Sequence, residues 1–235
     1  QKLWDHDKNA AYLYYCANET VHGIEFHKPP HSIHGVPLVA DISSNFLSRP
    51  FDFTNHGVVF GGTQKNLGAA GLTIVIVRKD LIGKQQQLTP AILSYKEMHD
   101  NDSLYNTPAV YGMYITNLVL KWIRDIGGVD AIFEMNKVSK KAGMIYDLID
   151  NSNGFYSCPV DKECRSYMNI CFRVQQGNDA AEAEFLKGAA DRGMISLKGH
   201  RSVGGIRASL YNAVTVEETA LLVDWMREFM ASQAA

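Results

Sequence analysis

The chain has 235 residues, 46% of them apolar and 20% charged, and a formal net charge of −2. That length allows one large domain or two small ones with a sizeable core, in an ordinary globular composition. There is no basic surplus to hold nucleic acid, and no apolar run reaches the roughly 20 residues of a membrane-crossing helix.

The chain starts at Gln1 rather than at methionine and meets a buried-looking run, Tyr12 to Ala17, a dozen residues in. It reads as a larger protein lacking its N-terminal part. The first half alternates short apolar runs with glycine-rich turns. Residues 12–17, 37–41, 57–61 and 72–77 have strand length and β-branched or aromatic content. Apolar on both faces, they predict a sheet covered by helices on each side, in an α/β domain. A proline-rich surface loop, 26–35, separates the first two.

From Pro108 the period becomes helical. Residues 111–126 form one predicted helix, stopped by Gly127-Gly128, and 129–149 a second, ended by Asn151-Ser-Asn-Gly154. Residues 167–174 read as a strand, 180–192 as a helix ended by Gly193, and 194–211 as two strands around a glycine pair. The last helix runs from 216 to about 230 and opens on a capping box, with Thr215 as N-cap and Glu218 three residues on. The division falls at the helix pair, giving domains 1–128 and 129–235, the second a smaller α+β domain. The cysteines, Cys16, Cys158, Cys164 and Cys171, show no Cys-x-x-Cys spacing, and no secretory segment opens the chain. Reduced thiols in a cytoplasmic enzyme account for them.

Lys65 follows the third apolar run, in Gly61-Gly-Thr-Gln-Lys65, and Asp41 ends the second. A lysine and a carboxylate at two strand tips are what pyridoxal phosphate requires: an amine for a Schiff base with its aldehyde, and an acid that keeps its pyridine nitrogen protonated. Taken singly, Lys65 also reads as a solvated turn lysine and Asp41 as a strand-to-loop cap. The Walker phosphate-loop spacing is absent.

In Lys198-Gly-His-Arg-Ser-Val-Gly-Gly-Ile-Arg207, the side chains of His200, Arg201 and Arg207 suit a substrate with two anionic groups; the alternative is a basic hairpin facing solvent. Thr20, after the first strand, suits a ligand hydrogen bond or an ordinary polar turn. His27, His31 and His34 invite a zinc site, but no acid or cysteine stands at ligand spacing, and no metal is expected.

Together these stretches resemble the phosphoserine aminotransferase family, of the fold type I (aspartate aminotransferase-like) superfamily. The likeness lies in Tyr15-Cys-Ala-Asn-Glu-Thr-Val-His-Gly-Ile-Glu25, Ala40-Asp-Ile-Ser-Ser-Asn-Phe-Leu-Ser-Arg-Pro50 and Gly61-Gly-Thr-Gln-Lys-Asn-Leu-Gly-Ala-Ala-Gly-Leu-Thr73. It continues through Tyr105-Asn-Thr-Pro108 and the glycine-rich stretch 198–209 and covers essentially the whole chain.

The resemblance implies a mostly parallel large domain, incomplete in 1–128, and a small C-terminal domain in 129–235. It implies that Lys65 carries pyridoxal 5'-phosphate and shuttles the proton, that Asp41 pairs with the pyridinium nitrogen, and that Thr20 bonds the phenolic oxygen. Gln64 touches the cofactor phosphate, and Asn106 and Thr107 reach it from the neighbouring subunit of a homodimer. Arg207 takes the α-carboxylate, and His200 and Arg201 the substrate phosphate.

The implied reaction moves an amino group between glutamate and phosphohydroxypyruvate, giving phosphoserine and 2-oxoglutarate in serine biosynthesis. Family members also carry an N-terminal segment with a glycine-rich phosphate loop, a stacking aromatic and a substrate arginine, none of which is in these residues. Ala109 stands where a second proline is expected. Two other readings compete: a different pyridoxal-phosphate enzyme such as a desulfurase, although no cysteine sits in a recognisable loop motif, and a non-catalytic fragment or short isoform.

Overall fold

The structure is a computed structural model that describes residues 4–5, 7–32, 35–137 and 140–233. In chain order the strands and helices begin β1 (Leu13–Cys16), β2 (Asn18–Glu19), β3 (Ile24–Glu25), β4 (Leu38–Asp41), β5 (His56–Gly62), β6 (Thr73–Val77), α1 (Tyr95–Asp100) and α2 (Val110–Asp125). They continue with α3 (Gly128–Asn136), α4 (Lys141–Asp150), β7 (Tyr156–Ser157), β8 (Asn169–Val174), α5 (Asp179–Asp191), β9 (Ile206–Ser209) and α6 (Val216–Ser232).

Contacts group the chain into two compact units. The first comprises Gln1–Ala17, Lys28–Phe46 and Phe51–Asp125; the second comprises Asn18–His27, Leu47–Pro50 and Ile126–Ala235. Chain order and unit membership therefore diverge, because two short segments from the first fifty residues belong with the C-terminal part.

The first unit is built on a sheet of order β1-β4-β5-β6. β1, β4 and β5 run parallel, and β6 returns antiparallel to β5. Cys16, Asp41 and Phe60 stand side by side in the ladder, so the three parallel strands end at one edge. Helical cover over both sheet faces is not what the described residues show. Val75 and Ile76 are 40% and 41% exposed, and as neighbours on a strand they face opposite sides of the sheet. α2 likewise exposes Val110, Tyr111 and Tyr114 and buries Gly112, Thr116 and Ile123.

The second unit packs the antiparallel sheet β7-β8-β9 against α4, α5 and α6. Its centre is aromatic. Phe185 meets Phe172 and Phe229 edge-on, with ring planes at 87° and 86°, the geometry favoured by ring quadrupoles. Trp225 lies against both Phe185 and Phe229, donates Nε1–H to Phe185 O (3.2 Å), and carries the Arg192 guanidinium 4.0 Å from its ring centre. Gly188 has no side chain because a Cβ there would run into the Trp225 ring. α6 starts with both bonds of the expected capping box, Glu218 N–H to Thr215 and Thr215 N–H to Glu218.

Two predicted elements differ. The helix expected over 129–149 is two, α3 and α4, with the backbone at Lys137 turned to ψ 159°. Asn136 ends α3 with a fully buried side chain. Its Nδ2 donates to Ser48 O (3.1 Å) and Asn212 Oδ1 (2.9 Å), bonds a continuous surface helix would not make. The strand pair expected over 194–211 is a single strand, β9. Among the described residues the chain before it pairs with β9 through the Lys198–Ile206 bridge and an Arg207 N–H to Leu197 O bond, and Ser196 takes a positive φ that interrupts a ladder.

Lys141 is 1% exposed, and its ammonium donates to Asn136 Oδ1 (3.1 Å) and Tyr211 O (3.0 Å). Burial lowers its pKa to about 8. The folded group thus releases its proton at lower pH than in the unfolded chain, where it holds it to about 10.5. Between those values the unfolded state binds more protons, so stability contributed by this site rises with pH. Urea unfolding at pH 7 and pH 10 is expected to show this relative gain, roughly 2 kcal/mol. The test is the difference between the native protein and Lys141→Met, which should lack that pH-dependent term.

Candidate active-site residues

Asp41 is the last residue of β4, half-buried, and its Oδ1 accepts the Ser43 N–H at 2.8 Å. The Ser43 hydroxyl in turn accepts the Gly62 N–H at 3.0 Å, at the end of β5. Two hydrogen bonds therefore tie the Asp41 carboxylate to the strand that leads to Lys65. Gly61 is needed beside that link, since a Cβ there would lie 2.6 Å from Phe46 Cδ2.

Lys65 sits in the turn after β5, half-buried, between residues that are anchored inside. Thr63 and Leu67 are fully buried and Asn66 is 6% exposed. Thr63 Oγ1 donates to Ala69 O (2.5 Å), Leu67 N–H to Thr63 O (3.1 Å), and Asn66 Nδ2 to Phe46 O (2.7 Å). Gly68, with φ +149°, closes the turn against α2, where a Cβ would come within 3.2 Å of Ile115 and Thr116. The lysine is thus held on a rigid turn at the carboxyl edge of the parallel strands, the edge that Asp41 also occupies. Gln64 is exposed on the same turn. Asn106 and Thr107 lie on an exposed stretch between α1 and α2, where Asn106 Nδ2 donates only to Thr107 O (3.2 Å).

The remaining candidates belong to the second unit. Arg207 on β9 stands opposite Cys171 on β8, and its Nη1 lies 3.5 Å from Thr20 O, a long hydrogen bond. Its Nε–H is buried without a partner. Such an orphaned charge-bearing donor costs free energy unless an acceptor arrives. Cys171 is buried, its thiol pushed up to about 11 by that burial. Arg207 and Thr20 are therefore brought together, through the β2–β3 hairpin. Gly23 on that hairpin packs so closely on β8 that a Cβ would stand 2.6 Å from Asn169 O.

His200 and Arg201 are exposed on the turn before β9, closed by Val203 and Gly204 N–H bonds to His200 O (2.9 and 2.8 Å). Among the described residues no carboxylate pairs with Lys198, Arg201 or Arg207. An unneutralised set of cations suits anions.

His34 lies outside the described residues. His27 Nε2 bonds Arg165 O (3.0 Å), and no group of three potential metal ligands is found among the described residues. The local signal for the Asp41–Ser43 bond is the aspartate itself, whose carboxylate commonly takes the amide two residues on.

This edge geometry, an acid and a lysine at the carboxyl ends of parallel strands, is the setting of a fold type I aminotransferase, and the chain belongs to the aminotransferase class-V family, whose model matches residues 2–222. Within that family it is similar to phosphoserine aminotransferases. A probable phosphoserine aminotransferase of Caenorhabditis elegans is 69% identical and a phosphoserine aminotransferase of Drosophila melanogaster 55% identical, each over 97% of the chain. The phosphoserine aminotransferase structure from Bacillus circulans subsp. alkalophilus superposes with TM-score 0.91 at 48% identity, covering 97% of the chain and 62% of its own. A pyridoxal-phosphate-bound one from Trichomonas vaginalis gives 0.90 at 39%, covering 97% and 63%. The chain spans about 62% of the length of the two animal relatives.

Ser43→Ala removes the acceptor of the Gly62 N–H. An unsatisfied buried donor costs about 1–3 kcal/mol. Hydrogen exchange of the Gly62 amide should accelerate about tenfold or more relative to the native protein, while amides of β8 keep their rates.

Proposed function

We propose that the whole protein is a phosphoserine transaminase. It moves an amino group between L-glutamate and phosphohydroxypyruvate, giving O-phosphoserine and 2-oxoglutarate in serine biosynthesis. The observation that carries this is the placing of Asp41 and Lys65 at one edge of the first unit's sheet, joined by the Ser43 link. The donor set fits pyridoxal 5'-phosphate: a carboxylate for a pyridine nitrogen, a primary amine for an aldehyde, and an exposed amide, Gln64, for a phosphate.

Pyridoxal phosphate, when bound, supplies an aldehyde that takes an amine and a ring that withdraws electrons. Lys65 holds it through its amine and carries the proton to and from the substrate Cα. Asp41 keeps the pyridine nitrogen protonated by its negative charge. Thr20 hydrogen-bonds the phenolic oxygen, and Gln64 the phosphate. Arg207 takes the substrate α-carboxylate, which supplies the acceptor its Nε–H lacks. His200 and Arg201 take the phosphate of phosphoserine, a role supported by their exposure and by the lack, among the described residues, of a carboxylate paired with Arg201. The two substrates alternate, so the kinetics are ping-pong.

The protein works as a cytoplasmic homodimer. Asn106 and Thr107 reach the cofactor phosphate of a partner subunit, a role suited to exposed polar side chains, of which Asn106 Nδ2 donates to the neighbouring Thr107 O. Residues 1–128 form the C-terminal part of the large cofactor-binding domain, and 129–235 the small domain. The compartment is supported by four free thiols. Among the described residues no helix is long and apolar enough to cross a membrane.

Borohydride reduction of the whole protein with its cofactor, followed by peptide mapping, should place the pyridoxyl group on Lys65; label on another lysine defeats the assignment. Asp41→Asn should retain the fold, by circular dichroism, while turnover falls by orders of magnitude.

Charge-assisted hydrogen bonds are worth about 1.5–3 kcal/mol. Arg201→Ala is therefore expected to raise KM for O-phosphoserine by roughly ten- to a hundredfold and to affect glutamate less. Equal losses for both amino donors would contradict the division of roles.

A further inference from the structure

His200 makes two contacts through one ring nitrogen. The Ser202 N–H donates to Nδ1 at 3.3 Å, and the Ser202 hydroxyl lies 2.7 Å from the same atom. A backbone N–H can only donate, so Nδ1 accepts and carries no proton in the neutral ring. The proton of the neutral imidazole therefore resides on Nε2, which has no hydrogen-bond partner among the described residues.

The turn that sets this up is stiff. Val203 and Gly204 N–H both bond His200 O, Gly199 N–H bonds Gly205 O at 2.8 Å, and Gly204 takes φ +75°. A Cβ on Gly199 would collide with Gly204 O and stand 2.8 Å from Gly205 O. The backbone so fixed holds the Ser202 amide and hydroxyl to the Nδ1 side of the ring.

We infer that Ser202 is a positioning residue for recognition of the phosphorylated substrate: it fixes the tautomer and pose of His200 so that Nε2–H is presented to the phosphate. This rests on the phosphate role proposed for His200. Ser202 touches no substrate atom itself. It determines which face of the imidazole donates, and phosphate oxygens accept only. Glutamate carries a singly charged γ-carboxylate in place of the more highly charged phosphate, so its binding depends less on the pose.

The test is a double-mutant cycle in the whole protein with cofactor bound, using His200→Ala, Ser202→Ala and the pair, with Ser202→Thr as the conservative variant. Two readouts are taken for O-phosphoserine and for L-glutamate: the dissociation constant from titration of the cofactor absorbance, and KM and kcat separately. Ser202→Ala removes the shorter contact and should weaken O-phosphoserine about fivefold in both Kd and KM. Glutamate constants should stay within twofold, and Ser202→Thr should restore phosphoserine binding.

Added to His200→Ala, the Ser202→Ala change should cost nothing more, because the group it positions is gone. Additive losses, or a loss shared equally by glutamate, overturn the inference. If His200→Ala leaves O-phosphoserine binding unchanged, the phosphate role of His200 itself is wrong. If His200→Ala weakens binding and Ser202→Ala does not, only the role of Ser202 is wrong. Ser202 is exposed, and unchanged thermal melting of each variant shows that the fold is intact.

Discussion

The side chain of Glu25 has no exposure to solvent. Its Oε1 receives the Arg49 Nε–H at 3.1 Å and its Oε2 the Tyr167 N–H at 2.9 Å, while the same guanidinium donates to Phe26 O and His27 O. A carboxylate taken out of water is expensive to hold, and removing one partner of such a pair costs about 3–5 kcal/mol because the other is left uncompensated. Here the pair joins the segments 18–27 and 47–50 to each other, and the Tyr167 bond joins them to the chain entering β8. A polar cluster completes the attachment: Asn18 bonds Asn169 (2.8 Å), and Ser166 bonds Asn18 (2.6 Å). These contacts help to fix the β2–β3 hairpin, and with it Thr20, relative to Arg207.

The first unit solves a different problem. Parallel strands that end together leave their final residues at one edge, where side chains leave the ladder and backbone groups turn toward ligand. Asp41 needs no special fold to arrive there; it only has to be last on β4. Lys65 needs more, because a flexible lysine on a loose turn has no fixed station. The buried Thr63, Asn66 and Leu67 give the turn its own interior, so the Lys65 side chain starts from a defined point.

Much of this was readable along the chain. Strand runs announced themselves by length and β-branching, the start of α6 by Thr215 and Glu218, and the end of α2 by Gly127-Gly128. Local signals stop where distant residues decide. Asn18 and Asn169 are 151 residues apart, so nothing near either one shows that residues 18–27 join the second unit. The break between α3 and α4 depends on Asn136 meeting Ser48 and Asn212, partners that periodicity does not contain. Lys65 and Asp41 were legible as a pair because strand ends carry their own punctuation. The Ser43 link between them was not, since it requires two strands to be neighbours in space.

The sequence contains three tryptophans. Trp225 is 9% exposed, sealed among Phe185, Phe229 and the Arg192 guanidinium in the second unit, whereas Trp4 and Trp122 of the first are 40% and 37% exposed. The indole emission therefore contains two populations, a blue-shifted one from the aromatic centre and a red-shifted one from water-facing rings. Opening of the second unit alone therefore changes the colour: Trp225 leaves the blue-shifted population and joins the red-shifted one, whereas the water-facing rings of the first unit keep theirs.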